Sequence, residues 1–142
     1  MTTLNMPVTI TAKFNKLNLK NNNAIVLSAR QGITTKVFYD FAEYIKMPEK
    51  KLAALLHLSS RTISNYNELQ KKMDPVQSEH LLKLISLFAK GEEIFGNVTE
   101  FNYWLQKNFW NADEKPIDWL VTPGGVDLVM DSLDQLAHAY VA

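Results

Sequence analysis

The chain has 142 residues and a mass of 16.2 kDa, the size of one domain or of two small lobes sharing a core. Apolar residues make up 46% and charged residues 21%, which excludes the composition of a disordered chain. The absence of cysteine excludes a disulfide scaffold, a thiolate-held metal and a thiol nucleophile. The formal net charge of zero conceals a division: Met1 to Met73 holds eleven bases against four acids, and Asp74 to Ala142 holds four bases against eleven acids. The halves thus carry +7 and −7, a pattern that points either to different partners, a polyanion for the first half and a basic surface for the second, or to attraction between the two lobes. No apolar run reaches the roughly 18 to 20 residues that cross a bilayer, and the start lacks the apolar core of a secretory signal. The expected location is therefore the cytoplasm, with no membrane partner.

In chain order, residues 1–23 are rich in Thr and Asn, and the run Lys20-Asn21-Asn22-Asn23 has no apolar period. They read as a flexible arm with at most a short strand over Val8 to Phe14. From Ala24 the apolar residues recur at three and four, predicting helices over 24–31, 35–46, 48–56, 60–68, 76–94, 98–107, 116–121 and 123–140. Pro48, Pro75 and Pro123 suit first helical turns, where a missing N–H costs nothing. Gly91 and Gly96 are expected to interrupt or end the long helix, and Thr122 to cap the last one. The fold class is all-α.

Two short helices meet around Leu52 to Tyr66. Ala53 is small enough for a close crossing, Leu56, Leu58 and Ile63 suit the buried angle between the helices, and Ser59 suits the N-cap of the second. His57 falls where a helix-turn-helix turn needs positive φ. In that geometry Ser60, Arg61, Thr62, Ser64 and Asn65 face a major groove, with Lys51 beside them for phosphate. These residue types suit DNA recognition, since Arg pairs with guanine O6 and N7, Asn with adenine N6 and N7, and hydroxyls take phosphate or bases.

A family resemblance rests on several blocks in order. Leu58-Ser59-Ser60-Arg61-Thr62-Ile63 looks like one helix-turn-helix core. Beyond it come Ala89-Lys90-Gly91-Glu92-Glu93-Ile94-Phe95-Gly96-Asn97, Phe101-Asn102-Tyr103-Trp104-Leu105, Lys115-Pro116-Ile117-Asp118-Trp119-Leu120, and Thr122-Pro123-Gly124-Gly125-Val126-Asp127-Leu128-Val129 through Leu133. Together they resemble the Xre/MbcA/ParS-type antitoxins that partner RES-domain toxins. The resemblance implies an N-terminal Xre/Cro-like helix-turn-helix lobe and a small C-terminal helical toxin-binding domain. Residues 24–74 would then bind DNA and dimerise, and residues 75–142 would bind the toxin. It also implies a homodimeric repressor of its own operon that binds operator DNA, uses no cofactor or metal, and occludes the active site of a RES-domain, NAD-consuming toxin.

For that second surface the candidate residues are Phe109 and Trp110 in an apparent loop, Asp127, Asp131 and Asp134 on one helical face, and His138, Tyr140 and Ala142 at the chain end. Aspartates spaced four and three apart can meet arginines of a partner, or can simply form a solvated face. Phe101, Trp104, Leu105 and Trp119 are expected in the core instead. Catalysis is not expected: His57, His80 and His138 form no HExxH, and no Gly-x-Ser-x-Gly elbow or phosphate-binding glycine loop is present. The alternative function is a stand-alone repressor whose C-terminal lobe binds a small ligand or only dimerises.

Overall fold

The computed structural model describes residues 8–108 and 113–141, with the side chains of the last helix through Ala139. Eight α-helices and one 3-10 helix follow in order among them: α1 (Ile10–Lys13), α2 (Asn22–Gln31), α3 (Thr35–Ile45), α4 (Glu49–Leu55), α5 (Ser60–Glu68), α6 (Pro75–Phe95), α7 (Val98–Leu105), a 3-10 helix (Pro116–Val121) and α8 (Pro123–Val141). No strand occurs among the described residues.

The helix at the centre is α6. Leu81, Leu82, Leu84, Ile85, Leu87 and Phe88 are all buried, so the helix is apolar round most of its circumference and needs cover on several sides. That cover comes from α2, α7 and α8, with α1 and α3 alongside. Edge-to-face rings tie these layers together: Phe14 meets Phe41 at 6.2 Å, Phe41 meets Phe88 at 5.5 Å, and Phe88 meets Phe101 at 5.0 Å between centroids. Each such pair adds about 0.5–1.5 kcal/mol to plain burial.

Glycines permit two close approaches. Gly91 lies four residues before the end of α6 and, contrary to expectation, does not break it; it makes room for the Phe101 ring, from which a Cβ there would fall 2.4 Å. Gly125 lies at the start of α8, where a Cβ would fall 1.7 Å from the Trp119 carbonyl. The long helix ends at Gly96, which takes φ 91°. As expected, Thr122 caps α8, its hydroxyl accepting from the Gly125 N–H at 2.9 Å, and Pro75 opens α6. Pro48 falls one position earlier than expected, just outside α4.

Two expectations are corrected at the N-terminal end. Val8 to Phe14 form no strand; Ile10–Lys13 make one helical turn capped by Thr9. That segment is also not free of the core, since Ile10 and Phe14 are buried and Leu17 and Leu19 pack against the same cluster. Glu92 fixes it in place, accepting from the Ile10 N–H at 3.0 Å, while the Tyr44 hydroxyl sits between the Val8 carbonyl, 2.7 Å away, and the Glu92 carboxylate. The parts on either side of residue 74 share one core, since buried residues from Ile10 to Leu133 form one cluster.

Adjacent glycines of α8 offer a test of this packing. Gly124→Ala, with nothing within 4 Å of the added methyl, is expected to leave stability unchanged or raise it by up to about 1 kcal/mol. Gly125→Ala should lower it by about 1–3 kcal/mol, because the 3-10 helix must move. Urea unfolding of both variants checks this, and equal midpoints would contradict the close approach at Trp119.

Candidate nucleic-acid interface

The junction of α4 and α5 is built by a helix stop followed closely by a helix start. The stop is a Schellman turn: the Leu58 N–H donates to the Ala53 carbonyl at 2.9 Å and the His57 N–H to the Ala54 carbonyl at 3.0 Å, which requires a left-handed residue between them. His57 fills that place at φ 60°, as the sequence leads one to expect. The start is Ser59, whose hydroxyl accepts from the Thr62 N–H at 3.0 Å. Leu52, Ala53, Leu55, Leu56 and Ile63 are buried in the angle between the helices, and Leu58 packs at its edge.

This geometry turns the polar side of α5 outward. Ser60, Arg61, Ser64 and Asn65 are exposed, as is Lys51 on α4. Thr62 is half-buried, and its hydroxyl lies 2.9 Å from that of Ser59, so it belongs as much to the cap as to the outer face. Only Ile63 of the nine residues of α5 is buried. A hydrogen bond of 3.0 Å from the Thr35 hydroxyl to Asn67 Oδ1 adds a tether. Lys50, Lys71 and Lys72 are exposed around the unit, with the Lys71 ammonium 4.8 Å from the centre of the Tyr66 ring. The surface is cationic and rich in donors, the composition that phosphates and base edges select.

Two histidine contacts invisible in the sequence meet at the 3-10 helix, and the first of them joins this unit to the C-terminal half. His57 Nε2 donates to the Val121 carbonyl at 2.7 Å, and His80 Nε2, on α6, donates to the Leu120 carbonyl at 2.8 Å. The two rings are 6.5 Å apart. Both hydrogen bonds take carbonyls at the end of the 3-10 helix, where such groups lack helical partners. His80 is buried. Burial holds its imidazole below the usual histidine pKa, His57 and Lys83 push the same way, and the Leu120 hydrogen bond and Glu79 oppose them.

The second candidate surface is placed only in part. Phe109, Trp110 and Ala142 lie outside the described residues, and so does the Tyr140 side chain. Asp127, Asp131 and Asp134 do line one side of α8, together with Asn22, Ile25, Lys83 and Ser86 around a hollow of about 350 Å³. Two of them have partners within the chain that the sequence spacing did not reveal: Lys83 holds Asp127 at 2.9 Å and Lys90 approaches Asp134 at 3.8 Å. Asp131 is exposed. His138 is exposed and its Nδ1 donates to the Asp134 carbonyl one turn back, at 2.7 Å. Phe101 and Leu105 are buried, with Trp104 and Trp119 packed against the core, as expected.

A short, capped second helix with an outward polar face, set against a buried first helix, defines a protein of the helix-turn-helix class. Residues 24–86 match the family model of the antitoxin Xre-like helix-turn-helix domain. Residues 24–86 thus form an Xre-like helix-turn-helix domain of the antitoxin type, and the match runs past position 74 into the middle of α6. Among curated proteins none matches the chain. No helix among the described residues is long and apolar enough to cross a membrane.

The lowered His80 pKa has a definite sign. The unfolded chain binds a proton near pH 6.5 and the folded chain resists it, so this contribution is complete above about pH 6.5 and is lost as pH falls from there toward the folded value. Urea midpoints should drop between about pH 7.5 and 5.5, and His80→Gln, which keeps an N–H donor, should flatten the drop. Parallel profiles for the two proteins would assign the acid sensitivity elsewhere.

Proposed function

We propose that this protein is the antitoxin of a type II toxin–antitoxin system, works in the cytoplasm as a homodimer, and has two binding roles and no catalytic one. With α5 it reads its own operator and represses transcription. With its C-terminal region it covers the active site of a RES-domain, NAD-consuming toxin. The observation that carries the first role is the outward face of α5 within the matched domain, where Arg61, Ser64 and Asn65 are exposed at spacings of three and four. Ser60 and Thr62 at the start of α5 are assigned to phosphate, and Lys51 to the flanking backbone. The second role is supported by the ordered blocks from Ala89 to Leu133 and by the acidity of that half, a polarity suited to a cleft that receives a phosphorylated anion. Asp127, Asp131, Asp134 and His138, with Phe109, Trp110, Tyr140 and Ala142, are the proposed contacts.

One observation favours the alternative of a stand-alone repressor. The lysine partners of Asp127 and Asp134 lie within the chain, so these acids serve the fold whether or not a toxin is present. Co-expression with a RES-domain protein from the same operon separates the two readings. A stable complex in which NAD is spared supports the antitoxin reading, and recovery of the free chain beside an active enzyme rejects it.

For DNA, Arg61→Ala is expected to weaken binding to the operator by about 1–3 kcal/mol and to relax preference at one base position, while Lys51→Ala weakens all sequences alike and makes the salt dependence shallower. Gel shifts at several salt concentrations check both; an unchanged shift for Arg61→Ala removes that residue from the interface. For the toxin, removing residues 139–142 should leave the thermal unfolding of the antitoxin intact, because Leu133 is the last buried core residue of α8 among those described, and should relieve inhibition. Undiminished protection of NAD by the shortened chain would contradict a role for this end.

A further inference from the structure

The recognition helix leans on α3 and α4 through few anchors: the buried Ile63, the half-buried Tyr66 against the core, one tether through Asn67, and the turn that precedes it. Its direction therefore depends on the turn. The turn carries a histidine at a left-handed position, where glycine would be free of strain. What the histidine adds is its ring, which reaches a carbonyl 64 residues away, at Val121. Leu120 and Val121 are themselves fixed: Leu120 is buried and bonded to His80, and the neighbouring Trp119 carbonyl is pressed against Gly125. The turn is thus fastened to a rigid post of the C-terminal half rather than to another part of the helix-turn-helix.

We propose that His57 is a positioning residue for DNA recognition: its hydrogen bond to the Val121 carbonyl sets the direction in which α5 leaves the turn. The ring need not touch DNA. Base-edge contacts demand a fixed pose of α5, whereas phosphate contacts tolerate a shifted one. Loss of the ring therefore costs selectivity and spares general affinity. The proposal rests on the reading of α5 as the DNA-reading helix.

Two variants test it on the full chain. His57→Gly keeps the left-handed backbone and deletes the ring; His57→Gln keeps an N–H donor on a side chain long enough to approach Val121. The probes are a duplex that the wild-type protein enriches from a random-sequence pool, and poly(dI-dC). His57→Gly is expected to bind the enriched duplex about tenfold more weakly, to bind poly(dI-dC) within about twofold of wild type, and to unfold at no lower a temperature. His57→Gln should recover most of the selectivity. Full selectivity in His57→Gly, or a loss that His57→Gln does not repair, overturns the proposal while leaving the DNA-binding reading in place. Failure of the wild-type protein to enrich any sequence overturns that reading and the proposal with it.

Discussion

The burial of α6 is the constraint on which the other elements depend. A helix with Leu81, Leu82, Leu84, Ile85, Leu87 and Phe88 all inside has no side to give to water over most of its length, so α2, α7 and α8 must each surrender an apolar face to it. Helices as short as α2 and α7 gain most of their stability from such packing and little from intrinsic propensity. The helix-turn-helix lobe inherits this: α3 lies on α6 through Phe41 and Phe88, and α4 and α5 lean on α3. The helix-turn-helix is thus an outgrowth of a core whose centre lies in the other half of the chain, consistent with a domain match that continues to residue 86.

Around that core the chain turns sharply with few glycines. Lys46, His57 and Gln70 all adopt positive φ, and each sits in the same pair of backbone hydrogen bonds: Met47 to Ala42 with Lys46 to Glu43, Leu58 to Ala53 with His57 to Ala54, and Lys71 to Tyr66 with Gln70 to Asn67. Three consecutive helices, α3, α4 and α5, therefore stop by one device at a left-handed residue that bears a side chain, at a cost of roughly 1–2 kcal/mol each relative to a right-handed placement. At Lys46 and Gln70 the side chains are exposed. At His57 the side chain is bonded to a distant carbonyl, which distinguishes that turn from its neighbours.

Most helices can be read from the sequence because their apolar residues repeat at three and four over two or more turns, and because Thr122, Ser59 and the prolines mark where they start. The N-terminal segment cannot, for a physical reason: Ile10 and Phe14 are anchors spaced one turn apart in a polar stretch, too few to show a period, and the group that fixes them, Glu92, is 82 residues away from Ile10. Gly91 misleads in the same way, since a glycine reads locally as a helix breaker while the ring that needs the space belongs to Phe101 on the next helix. At the candidate sites, the outward residues of α5 follow from the capping serine and the turn. The lysines opposite Asp127 and Asp134 do not, because partners 44 residues distant lie on another helix. The two histidines give no local sign either: their acceptors are backbone carbonyls, which every residue has.

The charge division gains its meaning from where the ion pairs fall. Had the two lobes been drawn together by their opposite charges, bridges would run from the first half to the second. The three ion pairs among the described residues do not: Lys36–Asp40 lies within the basic half, and Lys83–Asp127 and Lys90–Asp134 lie within the acidic half. Contacts that do cross between the halves include apolar and neutral ones, such as the ring of Phe41 on that of Phe88 and the His57 imidazole on a carbonyl. Glu92 reaches across to the N-terminal segment, and there it meets an N–H and a hydroxyl, those of Ile10 and Tyr44, in place of a base. The fold therefore does not consume its own charge asymmetry through bridges between the halves. Pairing inside the acidic half leaves its net charge unchanged, because Lys83 and Lys90, two of the four bases after Met73, each meet one acid of α8. What faces solvent is a helix-turn-helix ringed by exposed lysines in the first half and an acid-rich surface in the second, each with its charge available to something outside the chain.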